Sequence, residues 1–177
     1  TLRLILCKKS ILVEGDSDEL VVQRAYMDTH EGRLPIQDGI DVITVGGVTF
    51  KRYLEIAQIL NKETAVVTDN DGNIEAVKKK YKEYEGIPCI HICVDEVVDI
   101  GDLKLSDKDF NYNTLEPKIL KENGRKIMNN IFETNYVTDD EMHKYMHAHK
   151  TDCAIAIFES ATKIKYPEYI MRAIKNE

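Results

Sequence analysis

Over its first 94 residues the chain alternates short apolar runs, each closed by Gly or an acid, with segments whose apolar residues recur at helical spacing. Ser10-Ile11-Leu12-Val13 ends at Glu14-Gly15, the pattern of a strand buried on both faces. Asp16 or Ser17 can cap the segment after it, where Leu20, Val21, Ala25 and Tyr26 share a helix face. A second strand is expected over 41–45, closed by Gly46-Gly47. It is followed by an amphipathic helix over 50–60 carrying Tyr53, Leu54, Ala57 and Leu60 on one side. Residues 64–68 read as a third strand, 74–84 as a charged helix and 87–94 as a fourth strand. Strands alternating with helices require crossovers, hence a parallel sheet with helices on its faces.

The remainder divides differently. Residues 95–113 are acidic and poorly periodic and read as an irregular insertion, whereas 115–122, 125–132, 139–149 and 166–175 are helical; 152–159 is ambiguous. The expected organisation is therefore a core over 1–94 and an insertion with a mostly helical C-terminal part over 95–177. No run approaches the roughly 20 apolar residues that span a bilayer, and the opening residues lack a signal-peptide layout. The start without Met, soon followed by a strand, reads as a fragment of a longer, cytoplasmic protein. The four cysteines suggest no disulfide framework.

In open parallel sheets, functional groups collect at the carboxyl ends of strands. Glu14 occupies one such end and Asp69-Asn70-Asp71-Gly72 another. A Glu closing an apolar strand is costly unless paired, hydrogen-bonded or bound to a metal. Asp69 and Asp71, two apart as the chain leaves a strand, can share a cation, and Gly72 permits the tight exit. The same tetrapeptide is also good turn chemistry, and it is not an EF-hand loop, since Lys80 stands where that loop needs Glu. Asp18, one helical turn after Glu14, can approach the same site or simply complement the helix dipole. Glu19 points elsewhere, toward solvent.

The ordered set Val13-Glu14-Gly15, Gly46-Gly47 and Asp69-x-Asp71 resembles the Toprim domain, a Rossmann-like α/β sheet shared by topoisomerases, bacterial primases, small ribonucleases and the OLD-family (overcoming lysogenization defect) nucleases. Val13-Glu14-Gly15-Asp16-Ser17-Asp18-Glu19, with its second acid four after the first, is similar to the OLD type. So are Thr114-Leu115-Glu116-Pro117 and Lys163 ahead of the last helix. The resemblance implies a DNA endonuclease using two Mg²⁺ or Mn²⁺ ions, with Glu14, Asp18, Asp69, Asp71 and Glu116 as ligands. Asp69, Asp71 and Asp18 would hold one ion, and Glu14 with Glu116 the other. Lys163, with Lys165 as its competitor, would neutralise charge on a phosphate oxygen. It also implies an upstream ABC-type ATPase domain that forms homo-oligomers, a helicase-like partner protein and a role in anti-phage defence of the Gabija kind. No Gly-x₄-Gly-Lys-Ser/Thr occurs, so these residues carry no P-loop. Primase-like or topoisomerase-like chemistry on the same fold and a non-catalytic scaffold are the competing readings.

The net charge of −7 opposes a simple electrostatic DNA binder, but bound cations reverse the sign where phosphate must approach. Other groups invite blander readings. Cys89, His91 and Cys93 could share a strand face yet lack zinc spacing and a fourth ligand. His143, His147 and His149 read as a solvated helix face, and Lys78-Lys79-Lys80 with Lys82 as a charged outer face. No tyrosine stands in a setting that marks a nucleophile.

Overall fold

The computed structural model describes residues 2–46 and 50–175. Four parallel strands, β1 (Lys9–Val13), β2 (Ile40–Thr44), β3 (Glu63–Val67) and β4 (Ile90–Cys93), lie in the order β2-β1-β3-β4. They match the expected strands to within a few residues. Gly47, expected to close β2, lies outside the described residues. The chain runs one way from β1 to β2 and the other way through β3 to β4. The carboxyl ends of β1 and β3 therefore flank the point where the winding reverses, the place where such sheets form a crevice.

Strand periodicity divides the core in two. Ile11, Val13, Val42, Ala65, Val67 and Cys93 face α2 (Asp16–Thr29) and five C-terminal helices: α5 (Leu115–Asn123), α6 (Arg125–Phe132), α7 (Asp139–Ala148), α8 (Lys150–Glu159) and α9 (Glu168–Lys175). Leu12, Ile43, Val66 and Ile90 face the opposite way, against α1 (Leu2–Leu6), α3 (Phe50–Ile59) and α4 (Ile74–Tyr81). Ile11, Leu12 and Val13 are fully buried, each contributing about 1.5–3 kcal/mol through burial. The ambiguous stretch is helix α8. It buries Cys153, Ala154 and Ile157 against α2, while α9 packs on β3 and β4. The C-terminal helices thus cover one face of the sheet.

Lys9, within β1, is buried and donates from Nζ to the Ala173 carbonyl at 2.6 Å, at the end of α9, where a cation offsets the helix dipole. Among the described residues no helix is long and apolar enough to cross a membrane.

Several local expectations are corrected. Gly15, not Asp16 or Ser17, caps α2. Glu19 is not solvated: it accepts from Thr44 Oγ1 at 2.8 Å and Gln23 Nε2 at 3.2 Å, tying α2 to β2. Cys89 precedes β4 and packs in the core beside α3 and α4, whereas Cys93 lies in the other cluster. The two thiols therefore do not share a face with each other, and His91 bonds Glu63 at 2.8 Å. His143 is half-buried against Phe110 and Tyr112, with ring centroids 5.1 and 5.2 Å away, and burial lowers its pKa. Only His147 and His149 of that trio are exposed. Between β4 and α5 the insertion is largely irregular, with one small hairpin of β5 (Lys104–Leu105) and β6 (Lys108–Asp109).

Candidate metal centre

Glu14 follows β1 directly. β1 and β3 pair Leu12 with Val66, so two residues further on Glu14 stands level with Thr68. The buried Thr68 hydroxyl donates to Glu14 Oε1 at 2.5 Å. On the first turn of α2, Asp18 accepts the Gly15 N–H at Oδ2, 3.0 Å away. Asp18 thus bonds the backbone at the helix start and lies near Glu116 and Glu14.

Asp69 is the centre of the group. Burial pushes its carboxyl well above the ordinary range, and Asp18, Glu14, Glu116 and Asp71 push it further, in that order. Burial likewise raises Asp18, to about 7, against the Gly15 N–H and Lys150; Glu116 and Glu14 add to the rise. The five acids expected from sequence are therefore brought to one place, at the carboxyl ends of β1 and β3.

They are not equivalent. Past Asp69 the chain turns through left-handed backbone at Asp71 (φ 48°) and Gly72 (φ 77°). Asp71 is exposed and accepts from Asn111 Nδ2 at 2.8 Å, while Asp69 is half-buried. Buried Asn70 between them anchors the turn. Its Oδ1 accepts the Gly72 N–H at 2.8 Å, and its Nδ2 donates to the carbonyls of Asp95 (2.7 Å) and Val97 (3.0 Å). Sequence reading left Asn70 without a role, although an Asn two before Gly is an Asx-turn signal. Glu116, buried in the first turn of α5, accepts from Thr114 Oγ1 at 3.2 Å and from Lys150 Nζ at 3.0 Å.

Two further groups had no sequence signal. Lys150 is one. The other is Tyr169, whose buried phenol oxygen has no hydrogen-bond partner among the described residues. Burial raises its pKa, and Asp69, Asp18, Asp95 and Glu116 raise it further. Lys163 and Lys165 are exposed on the link between α8 and α9, and neither ammonium pairs with these acids. The link is docked on α5 by Asn123, which bonds the Lys165 backbone in both directions, at 2.7 and 2.8 Å.

Among the described residues no three of the acids stand close enough to grip one ion as they are held here; Thr68, the Gly15 N–H, Lys150 and Asn111 engage four of them. The donor chemistry fits a hard divalent cation all the same. The donors are carboxyl oxygens partly withdrawn from water, and among the described residues Lys150 is the one ammonium paired with them.

Burial and crowding together set a pH dependence. Asp18 and Asp69 hold protons more tightly folded than unfolded, so folding takes up protons between the ordinary carboxyl range and about pH 7. Metal-free stability contributed by these groups is fullest at low pH and falls as pH rises through that window, by up to about 1.4 kcal/mol per pH unit for each titrating proton. His143, whose pKa is lowered, acts in the opposite sense, so the comparison is with Asp18→Asn. In urea unfolding with chelator at pH 5 and 7.5, wild type should lose about 1 kcal/mol or more relative to this variant at the higher pH. Parallel pH profiles would remove the basis for crowding.

Residues 5–71 match the family model described as the Toprim domain of overcoming-lysogenization-defect-protein-like proteins. That span contains Glu14, Asp18, Asp69 and Asp71. No curated protein matches the chain. The fold is similar to the C-terminal region of the Burkholderia pseudomallei OLD protein, with TM-score 0.66, 19% identity, and 96% of each chain covered. It is also similar to the C-terminal region of the Xanthomonas campestris pv. campestris OLD protein, with TM-score 0.61, 18% identity, and 98% of this chain and 93% of that one covered. The Toprim-type α/β architecture with C-terminal helices is thereby shown.

Proposed function

We propose that this chain is a DNA endonuclease domain dependent on Mg²⁺ or Mn²⁺. The observation that carries the proposal is the convergence of Glu14, Asp18, Asp71 and Glu116 on Asp69, beside the point where the sheet reverses its winding. Burial and neighbouring like charges raise the pKa values of Asp18 and Asp69, an arrangement that is costly to fold. It repays that cost when divalent cations occupy it. Asp69, Asp71 and Asp18 are the ligands proposed for one ion, and Glu14 with Glu116 for a second. Held there, such ions would supply Lewis-acid chemistry for attack by water near neutral pH and for departure of the leaving oxygen.

The protein's own part is to orient these oxygens. Thr68 fixes the Glu14 carboxylate, the Gly15 N–H fixes Asp18, and Asn70 sets the turn that separates Asp69 from Asp71. Lys163 is proposed to meet a phosphate oxygen from the link before α9. An OLD-type role in anti-phage defence of the Gabija kind belongs to the same proposal. It includes an upstream ABC-type ATPase domain driving homo-oligomer formation and a helicase-like partner, and it rests on the resemblance of the acidic motifs.

Incubation with supercoiled plasmid tests the activity. Open-circular or linear product should form with Mg²⁺ or Mn²⁺ and be absent with chelator. Plasmid left intact across a range of both metals would favour an assembly scaffold and end the nuclease reading.

A further inference from the structure

Lys150 is the first residue of α8, at the end of a helix where free N–H groups already concentrate positive charge and disfavour a cation. Its ammonium nevertheless turns to Glu116 Oε2, 3.0 Å away, and Glu116 is 8% exposed. Among the described residues this is the one ion pair made by any of the five acids. The contact therefore offsets charge that the cluster leaves uncompensated.

Lys118 provides an internal contrast. Its side chain is 4% exposed and it bonds Asp95 and Asp99 at 2.6 and 2.7 Å, a fixed structural pair. Lys150 is 42% exposed and, among the described residues, is held through Glu116 alone, so its ammonium can return to water at little cost.

We propose that Lys150 is an exchangeable counter-ion: it holds Glu116 in the metal-free chain and yields that carboxylate to a divalent cation, so that Lys150 and metal compete for Glu116. The inference rests on the divalent-metal reading of the site. It makes Lys150 a positioning residue that keeps the acid group folded until metal arrives.

The sign of the effect separates this role from a merely structural one. Mn²⁺ is titrated calorimetrically into the full chain for wild type, Lys150→Met and Lys150→Arg. Removing the competitor should tighten Mn²⁺ binding about tenfold in Lys150→Met, whereas Lys150→Arg stays near wild type. In chelator Lys150→Met should melt below wild type, and Mn²⁺ should raise its Tm by more. If Lys150→Met does not fold, Lys150→Gln, which keeps a neutral donor for Glu116, carries the same expected direction. Binding that is unchanged or weaker in the folded neutral variant overturns the counter-ion role and leaves the metal site standing. Failure of Mn²⁺ to bind wild type and variants alike overturns the metal reading, and this inference with it.

Discussion

Replacing Asp69 by Asn is expected to abolish metal-dependent cleavage and, at the same time, to make the metal-free chain harder to unfold. Asn keeps the size and one oxygen of Asp but not its charge. Asp69 faces Asp18, Glu14, Glu116 and Asp71, so each of the four loses a repelling neighbour, and a partly desolvated carboxylate becomes a neutral amide. Relief of that penalty should add about 1–3 kcal/mol in urea unfolding with chelator. The same substitution removes the central anionic donor, so cleavage should drop by on the order of a thousandfold or more, equivalent to about 4 kcal/mol in the barrier. Plasmid nicking rates and calorimetric Mn²⁺ titration measure the loss. Cleavage within tenfold of wild type would remove Asp69 from the reaction. A variant less stable than wild type in chelator would mean the carboxylate makes favourable contacts that outweigh its repulsion.

Gain and loss on opposite sides of one substitution also explain why the acids were legible in sequence while their setting was not. Glu14 stood out because a charge at the end of an apolar strand breaks the local pattern, and the Asp69-Asn70-Asp71-Gly72 turn because it ends the apolar run of β3. Both are properties of neighbouring residues. Strand and helix positions were readable for the same reason, and α6 was bounded as expected at Arg125 and Phe132. Contacts between distant residues left no such trace. Lys150 meets Glu116 across 34 positions, and Tyr169 reaches the acids only because α9 folds back over β3 and β4. His143 looked solvated from the polar face of its own helix, yet Phe110 and Tyr112 of the insertion cover it. Thr68 and Asn70 lay inside readable segments, but their roles depend on partners just after β1 and in the insertion. The insertion itself, read as irregular, is mostly so in backbone; what sequence could not show is how firmly it is tied down.

That tie predicts a large loss of stability from a charged residue outside the acid cluster. Lys118 of α5 is buried and donates to Asp95 Oδ2 at 2.6 Å, Asp99 Oδ2 at 2.7 Å and the Val97 carbonyl at 2.9 Å. Burial opposes the ionisation of Asp99, but hydrogen bonds from Lys118 and Lys121 outweigh it and hold that carboxyl below its ordinary range. The segment so pinned also supplies the Asp95 and Val97 carbonyls to Asn70, and Asn111 to Asp71. Lys118→Met leaves Asp95 and Asp99 without their buried cation, a loss that costs about 3–5 kcal/mol where both partners are fully buried. Here the two carboxylates keep some contact with water, 27% and 22% exposed, and Lys121 still holds Asp99 at 2.6 Å. The expected loss is therefore about 2–3 kcal/mol. Lys121→Met removes a half-exposed ammonium from the same Asp99 and should cost less than about 1 kcal/mol. Urea unfolding of the two variants gives the comparison, and limited proteolysis should cut Lys118→Met first within 95–113. Equal losses for Lys118→Met and Lys121→Met would show that the buried ammonium does not hold the insertion. A large loss for Lys118→Met alone, accompanied by weaker Mn²⁺ binding, would show that the geometry of the Asp69–Asp71 turn is maintained from α5 through Asn70 and Asn111.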